Sequence, residues 1–95
     1  MSRWITLLVL SGWVLAALGQ PGETRQRELL HLLQQDCGSC HGLTLRGGLG
    51  PALLPDSLAG KPAGFLVRTI LDGRPGTAMP PWSPLISEVD AIWLV

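Results

Sequence analysis

The sequence predicts a small all-α domain of about three helices joined by long loops. Three observations carry that expectation. Apolar residues recur at helical spacing in three separate segments, and none alternates as a strand does. Glycine and proline concentrate between those segments, where they interrupt regular structure. A chain of 95 residues gives room for one domain and not for two. Seven basic residues balance seven acidic ones. A nucleic-acid binder would show a basic excess, so no such partner is expected.

Much of the chain's 46% hydrophobic content sits at its beginning. Residues Trp4 to Leu18 form an uncharged run behind Arg3, with small residues at Ala17 and Gly19. A basic start, an apolar run and small residues at its end have the form of a secretory signal. The run is about 15 residues long, short of the roughly 20 that cross a bilayer as a helix. Residues 1–19 are therefore expected to be a signal peptide cleaved after Gly19, with Ala17 at position −3. Residues 20–95 would form one exported domain without a stable membrane anchor; an uncleaved N-terminal anchor is the alternative. A domain this small needs a staple or a cofactor to hold it. A disulfide between Cys37 and Cys40 would close only a tiny loop and cross-link nothing distant.

After the break at Pro21 and Gly22, residues Thr24 to Asp36 read as the first helix. Leu29 and Leu33 share a face that Leu30 and Leu32 widen. Beyond the cysteines, residues 42–60 carry glycines at 47, 48 and 50 and read as an irregular loop. Pro62 suits the start of a second helix, because its missing N–H costs nothing in a first turn. That helix would carry Phe65, Leu66, Ile70 and Leu71 and stop at Gly73, which tolerates the left-handed conformation after a helix end. A second loop, Arg74 to Leu85, holds four of the eight prolines and cannot be helical throughout. Ser87 with Asp90 three residues on has the spacing of a capping box for a last helix, with Val89, Ile92 and Trp93 on one face. No stop signal precedes Val95, the pattern of a chain truncated from a longer one.

The chemistry concentrates at residues 37–41, Cys-Gly-Ser-Cys-His, the attachment pattern of a c-type haem. Thiols three residues apart lie on one side of a helical turn, where each can add to one haem vinyl group. His41 then projects its imidazole toward the iron as proximal ligand. A redox dithiol would need a βαβ setting that is absent, and a zinc site would need further ligands, for which only His31 and a few carboxylates are at hand. The second axial ligand is expected to be Met79, the one methionine besides the initiator, in Thr-Ala-Met-Pro-Pro-Trp. Its prolines restrict the backbone and help hold a weak thioether on iron. Core filler is the ordinary use of a methionine, but the two following prolines argue against it here. His31 is the competing ligand, poorly placed on the helix leading into the motif.

Cys-x-x-Cys-His, Gly50-Pro51-x-Leu53 and Met79-Pro80 between helices resemble a class I cytochrome c, over nearly all of residues 20–95. The resemblance implies a small class I cytochrome c-like fold around one covalent haem c per chain. It also implies that the Pro51 carbonyl accepts a hydrogen bond from His41 and orients it, although by themselves Gly50 and Pro51 read as a simple turn. Residues 36–53 and 69–82 are similar to the cytochrome c55X group, small periplasmic cytochromes encoded with the haem cd1 nitrite reductase of denitrifying bacteria. That likeness implies a monomeric periplasmic one-electron carrier, not an enzyme, with a redox protein partner such as cytochrome cd1 nitrite reductase. A factor in d1 haem biogenesis or reductase maturation is the alternative, and a haem-based ligand sensor a third. Trp82 and Trp93 are expected around the haem, with Leu53, Phe65 and Ile70 as further candidates. Arg46 and Arg74 are either propionate partners or solvated.

Overall fold

In a computed structural model that describes residues 19–95, helix α1 (Glu23–Leu32) starts where Gly22 leaves the extended region. The Gly22 carbonyl accepts the Gln26 N–H at 2.9 Å, and Glu23 puts a negative charge near the positive end of the helix dipole. Residues 1–18, which hold nearly all of the expected signal peptide, lie outside the described residues. Among the described residues no helix is long and apolar enough to cross a membrane.

The helix does not end at Asp36 as expected. It runs on through a π-helical turn (Leu33–Cys37) into α2 (Gly38–His41), so that the Cys-Gly-Ser-Cys-His segment is helical. The reason is local. Gly38 is in the right-handed helical conformation and donates its N–H to the Leu33 carbonyl, and the chain leaves the helix only at Gly42, where φ is 93°. A π turn of this kind commonly marks a functional segment.

The stretch from 42 to 60 is also not wholly irregular. Pro55 opens a single turn, α3 (Pro55–Leu58), in which the Leu54 carbonyl accepts from Ser57 and Leu58. Helix α4 (Ala63–Asp72) has Pro62 as the extended residue just before it, and Gly73 at φ 69° just after. Helix α5 (Glu88–Leu94) begins with the capping box read from the sequence. The Asp90 N–H donates to Ser87 Oγ and the Ser87 N–H to Asp90 Oδ2, each at 3.1 Å. The architecture is all-helical, and no strand occurs among the described residues.

The core is small. Leu29 of α1, Val67 and Leu71 of α4, Ile86, and Ala91 of α5 are buried, with Leu32, Ile70, Trp82, Trp93 and Leu94 packed against them. Two helix faces differ from expectation. Leu30, Val89 and Ile92 are exposed, while Asp90 and Ala91 turn inward on α5. A charge pair explains the buried carboxylate. Arg25 reaches from α1 to Asp90 Oδ2 with Nε at 3.2 Å and Nη2 at 2.8 Å, and Nη2 also donates to the Leu85 carbonyl at 2.7 Å. This clamp joins the first helix to the last and sets which side of α5 faces in.

Candidate cofactor site

His41 ends α2, and the glycine-rich loop after it folds back onto that end. The last carbonyls of a helix lack partners inside it. Here the loop supplies them: Gly50 N–H donates to the Cys40 carbonyl and Gly47 N–H to the His41 carbonyl, both at 2.8 Å. Such close return needs glycine. A Cβ at Gly48 would lie 2.7 Å from the Cys40 oxygen, and one at Gly50 would lie 2.7 Å from both Cε1 and Nδ1 of the imidazole. The backbone of residue 50 thus forms a wall against the ring. The same loop places the Pro51 carbonyl 2.6 Å from His41 Nδ1. With Nδ1–H donating there, Nε2 is the nitrogen left to bind a metal.

The two cysteines are not joined to each other as a disulfide; Cys37 is half-buried and Cys40 exposed. Burial, aided by the charge of Asp36, pushes the Cys37 thiol above its ordinary range. A redox dithiol works the other way, since a helix N-terminus or neighbouring cation lowers the pKa of its attacking cysteine. Cys37 instead sits inside a continuous helical segment. Among the described residues no three His, Cys, Asp or Glu side chains gather as an all-protein metal site.

Met79 occupies the proline-rich loop, which is built onto the C-terminal end of α4 as the first loop is built onto α2. Trp82 and Ser83 donate their N–H groups to the carbonyls of Ile70 and Leu71, at 2.9 and 3.2 Å. Gly73 packs against the backbone of residues 79–81: a Cβ there would come within 2.7 Å of the Met79 oxygen, the Pro80 carbonyl carbon and the Pro81 nitrogen. The stop signal of α4 is therefore also the seat of the Met79 loop, a second duty that helix-end rules do not reveal.

Other candidates fall variously. His31 is exposed on α1. Trp82, Trp93 and Ile70 are half-buried against the core. Phe65 is 45% exposed with the Arg74 guanidinium 5.6 Å above its ring, so Arg74 is engaged there, while Arg46 is exposed. Leu53, two residues past Pro51, lines an open surface pocket of about 410 Å³ with Leu58, Lys61, Leu66 and Leu94, and none of Cys37, Cys40, His41 or Met79 lines it. Two cysteine sulfurs, an imidazole with one nitrogen oriented away from its carbonyl partner and a thioether make a donor set that fits a covalently attached haem.

A family model described as "Cytochrome C oxidase, cbb3-type, subunit III" matches residues 24–95. The chain is similar to the cytochrome c55X of Pseudomonas aeruginosa, with 56% identity over 94 residues, 97% of this chain and 79% of that protein. A solved structure of the c-type cytochrome NirC superposes with a TM-score of 0.77 at 64% identity, covering 78% of this chain and 87% of that one. The dihydro-heme d1 dehydrogenase of Pseudomonas aeruginosa is 38% identical over 84 residues, 88% of this chain but 16% of that protein.

Proposed function

This chain belongs to the c-type cytochromes, in the cytochrome c55X group, and on that premise we propose that it is a periplasmic one-electron carrier serving nitrite reduction. Its cofactor is covalent haem c. Bound haem supplies ferric–ferrous chemistry, and the residues of this chain set where and how it operates. Cys37 and Cys40 would hold the group by two thioethers. His41 would give Nε2 to the iron while its Nδ1–H stays on Pro51, which keeps the ring aligned and makes it a stronger donor. Met79 would supply the second ligand. Methionine–histidine ligation raises the potential and leaves no iron position for a substrate, which suits a carrier rather than a catalyst.

The observation that carries this reading is the 2.6 Å contact between His41 and Pro51, because it fixes the ring orientation that ligation requires. The favoured partner is cytochrome cd1 nitrite reductase. One finding favours a second partner: the likeness to part of a dihydro-heme d1 dehydrogenase points to service in making d1 haem. Stopped-flow mixing separates the two. The donor role predicts that the reduced cytochrome is oxidised by nitrite reductase at a rate rising with reductase concentration. Absence of transfer, together with rapid reduction of the ferric cytochrome by a d1-haem dehydrogenase, would replace the donor role with the biosynthetic one.

A further inference from the structure

Met79 sits at the end of a closed ring of backbone, and the hydrogen bonds that close it converge on two residues. Arg74, Pro75, Gly76 and Thr77 form a tight turn: the Thr77 N–H donates to the Arg74 carbonyl at 3.0 Å. Proline in second place and glycine at φ 79° in third suit a type II turn. The Arg74 N–H then donates to the Met79 carbonyl at 3.1 Å, so residues 74 and 79 are fastened to each other. The side chain of Thr77 bridges the ring. Its hydroxyl donates to the Arg74 carbonyl at 2.7 Å and accepts the N–H of Met79 at 3.3 Å. The Arg74 side chain is itself laid across Phe65 of α4, and Gly73 admits the Met79–Pro80 peptide against the helix end.

From this we infer that Thr77 is a positioning residue for Met79. Its hydroxyl fixes the peptide before the thioether, so that the sulfur is held where it competes against outside ligands for the iron. The inference rests on Met79 being the axial ligand. A thioether is a weak ligand, and its hold on iron depends on how little freedom its backbone has when it lets go. The Thr77 methyl group has no part in this; the hydroxyl does.

The test compares holoproteins carrying Thr77→Val, which keeps the shape and removes the hydroxyl, and Thr77→Ser, which keeps the hydroxyl. Ferric protein is titrated with imidazole while the weak long-wavelength methionine-to-iron band is followed. Thr77→Val should bind imidazole about fivefold more tightly than wild type, the share one hydrogen bond typically contributes. Thr77→Ser should bind it as wild type does. Equal affinities in wild type and Thr77→Val, or a Thr77→Ser variant as weakened as Thr77→Val, would overturn the role of the hydroxyl. Met79→Ala serves as the separate control: if that variant keeps the band, the ligand assignment fails, whatever Thr77 does.

Discussion

Replacing Gly50 with alanine should damage the His41 side of the site more than any polar contact there would suggest. The added Cβ would lie 2.7 Å from Cε1 and Nδ1 of the imidazole and 3.2 Å from Nε2. Ordinary contact begins near 3.4 Å, so ring or backbone must give by more than half an ångström. Neither is free to do so. The ring is tied to Pro51 at 2.6 Å, and the residue 50 backbone is tied to Cys40 at 2.8 Å. Overpacking of this kind costs about 1–3 kcal/mol, and for a domain this size each kcal/mol lowers the melting temperature by about 4–8 °C. A cost of about 2 kcal/mol therefore corresponds to a drop of roughly 8–16 °C. The reduction potential should rise, because an imidazole pulled off its carbonyl partner donates less to ferric iron. Thermal unfolding of the holoprotein and protein-film voltammetry read the two effects. A Gly50→Ala protein with wild-type melting temperature and potential would refute the claim that the loop backbone packs against the His41 imidazole.

Gly64, by contrast, is exposed and has open space around an added Cβ, and Gly64→Ala in α4 should stabilise by about 0.5–1 kcal/mol in the same melts. Asp90→Asn breaks the clamp to Arg25, whose side chains are 10% and 36% exposed, and should cost about 1–2 kcal/mol after allowing for solvent on the arginine. The clamp is also acid-sensitive. Hydrogen bonding to Arg25 holds the Asp90 carboxyl below its ordinary range. Its contribution is therefore complete above the unfolded value of about 3.9 and is lost as pH falls from there through the folded value. Denaturant melts should show a wild-type advantage over Asp90→Asn that is constant near neutrality and shrinks below about pH 4. A Cys37→Ser, Cys40→Ser apo-protein, left with a small buried apolar core, should show little helix by circular dichroism; a cooperative thermal transition would contradict that.

What could be read from the sequence was whatever is local. Ser87 and Asp90 signal a helix start through their own backbone, Gly73 signals a stop through its freedom at φ 69°, and Cys37, Cys40 and His41 carry their chemistry in their spacing. Features set by tertiary partners were out of reach. Nothing near Asp90 announces that Arg25, 65 residues away, will draw it inward and turn Val89 and Ile92 out. The π turn at Leu33–Cys37 leaves no composition mark. Gly50 and Gly73 look like ordinary loop glycines until the ring and peptide they admit are seen.

The central claim is that His41 and Met79 saturate the iron and so make this cytochrome a carrier. The most direct test is the absorption spectrum of ferric holoprotein, wild type beside Met79→Ala and His31→Ala. With both ligands on iron, wild type and His31→Ala should show a weak long-wavelength methionine–iron band and a low-spin spectrum. In Met79→Ala the band should be absent and the potential lowered. A band that survives Met79→Ala, or a second ligand that is lost in His31→Ala instead, would contradict the claim.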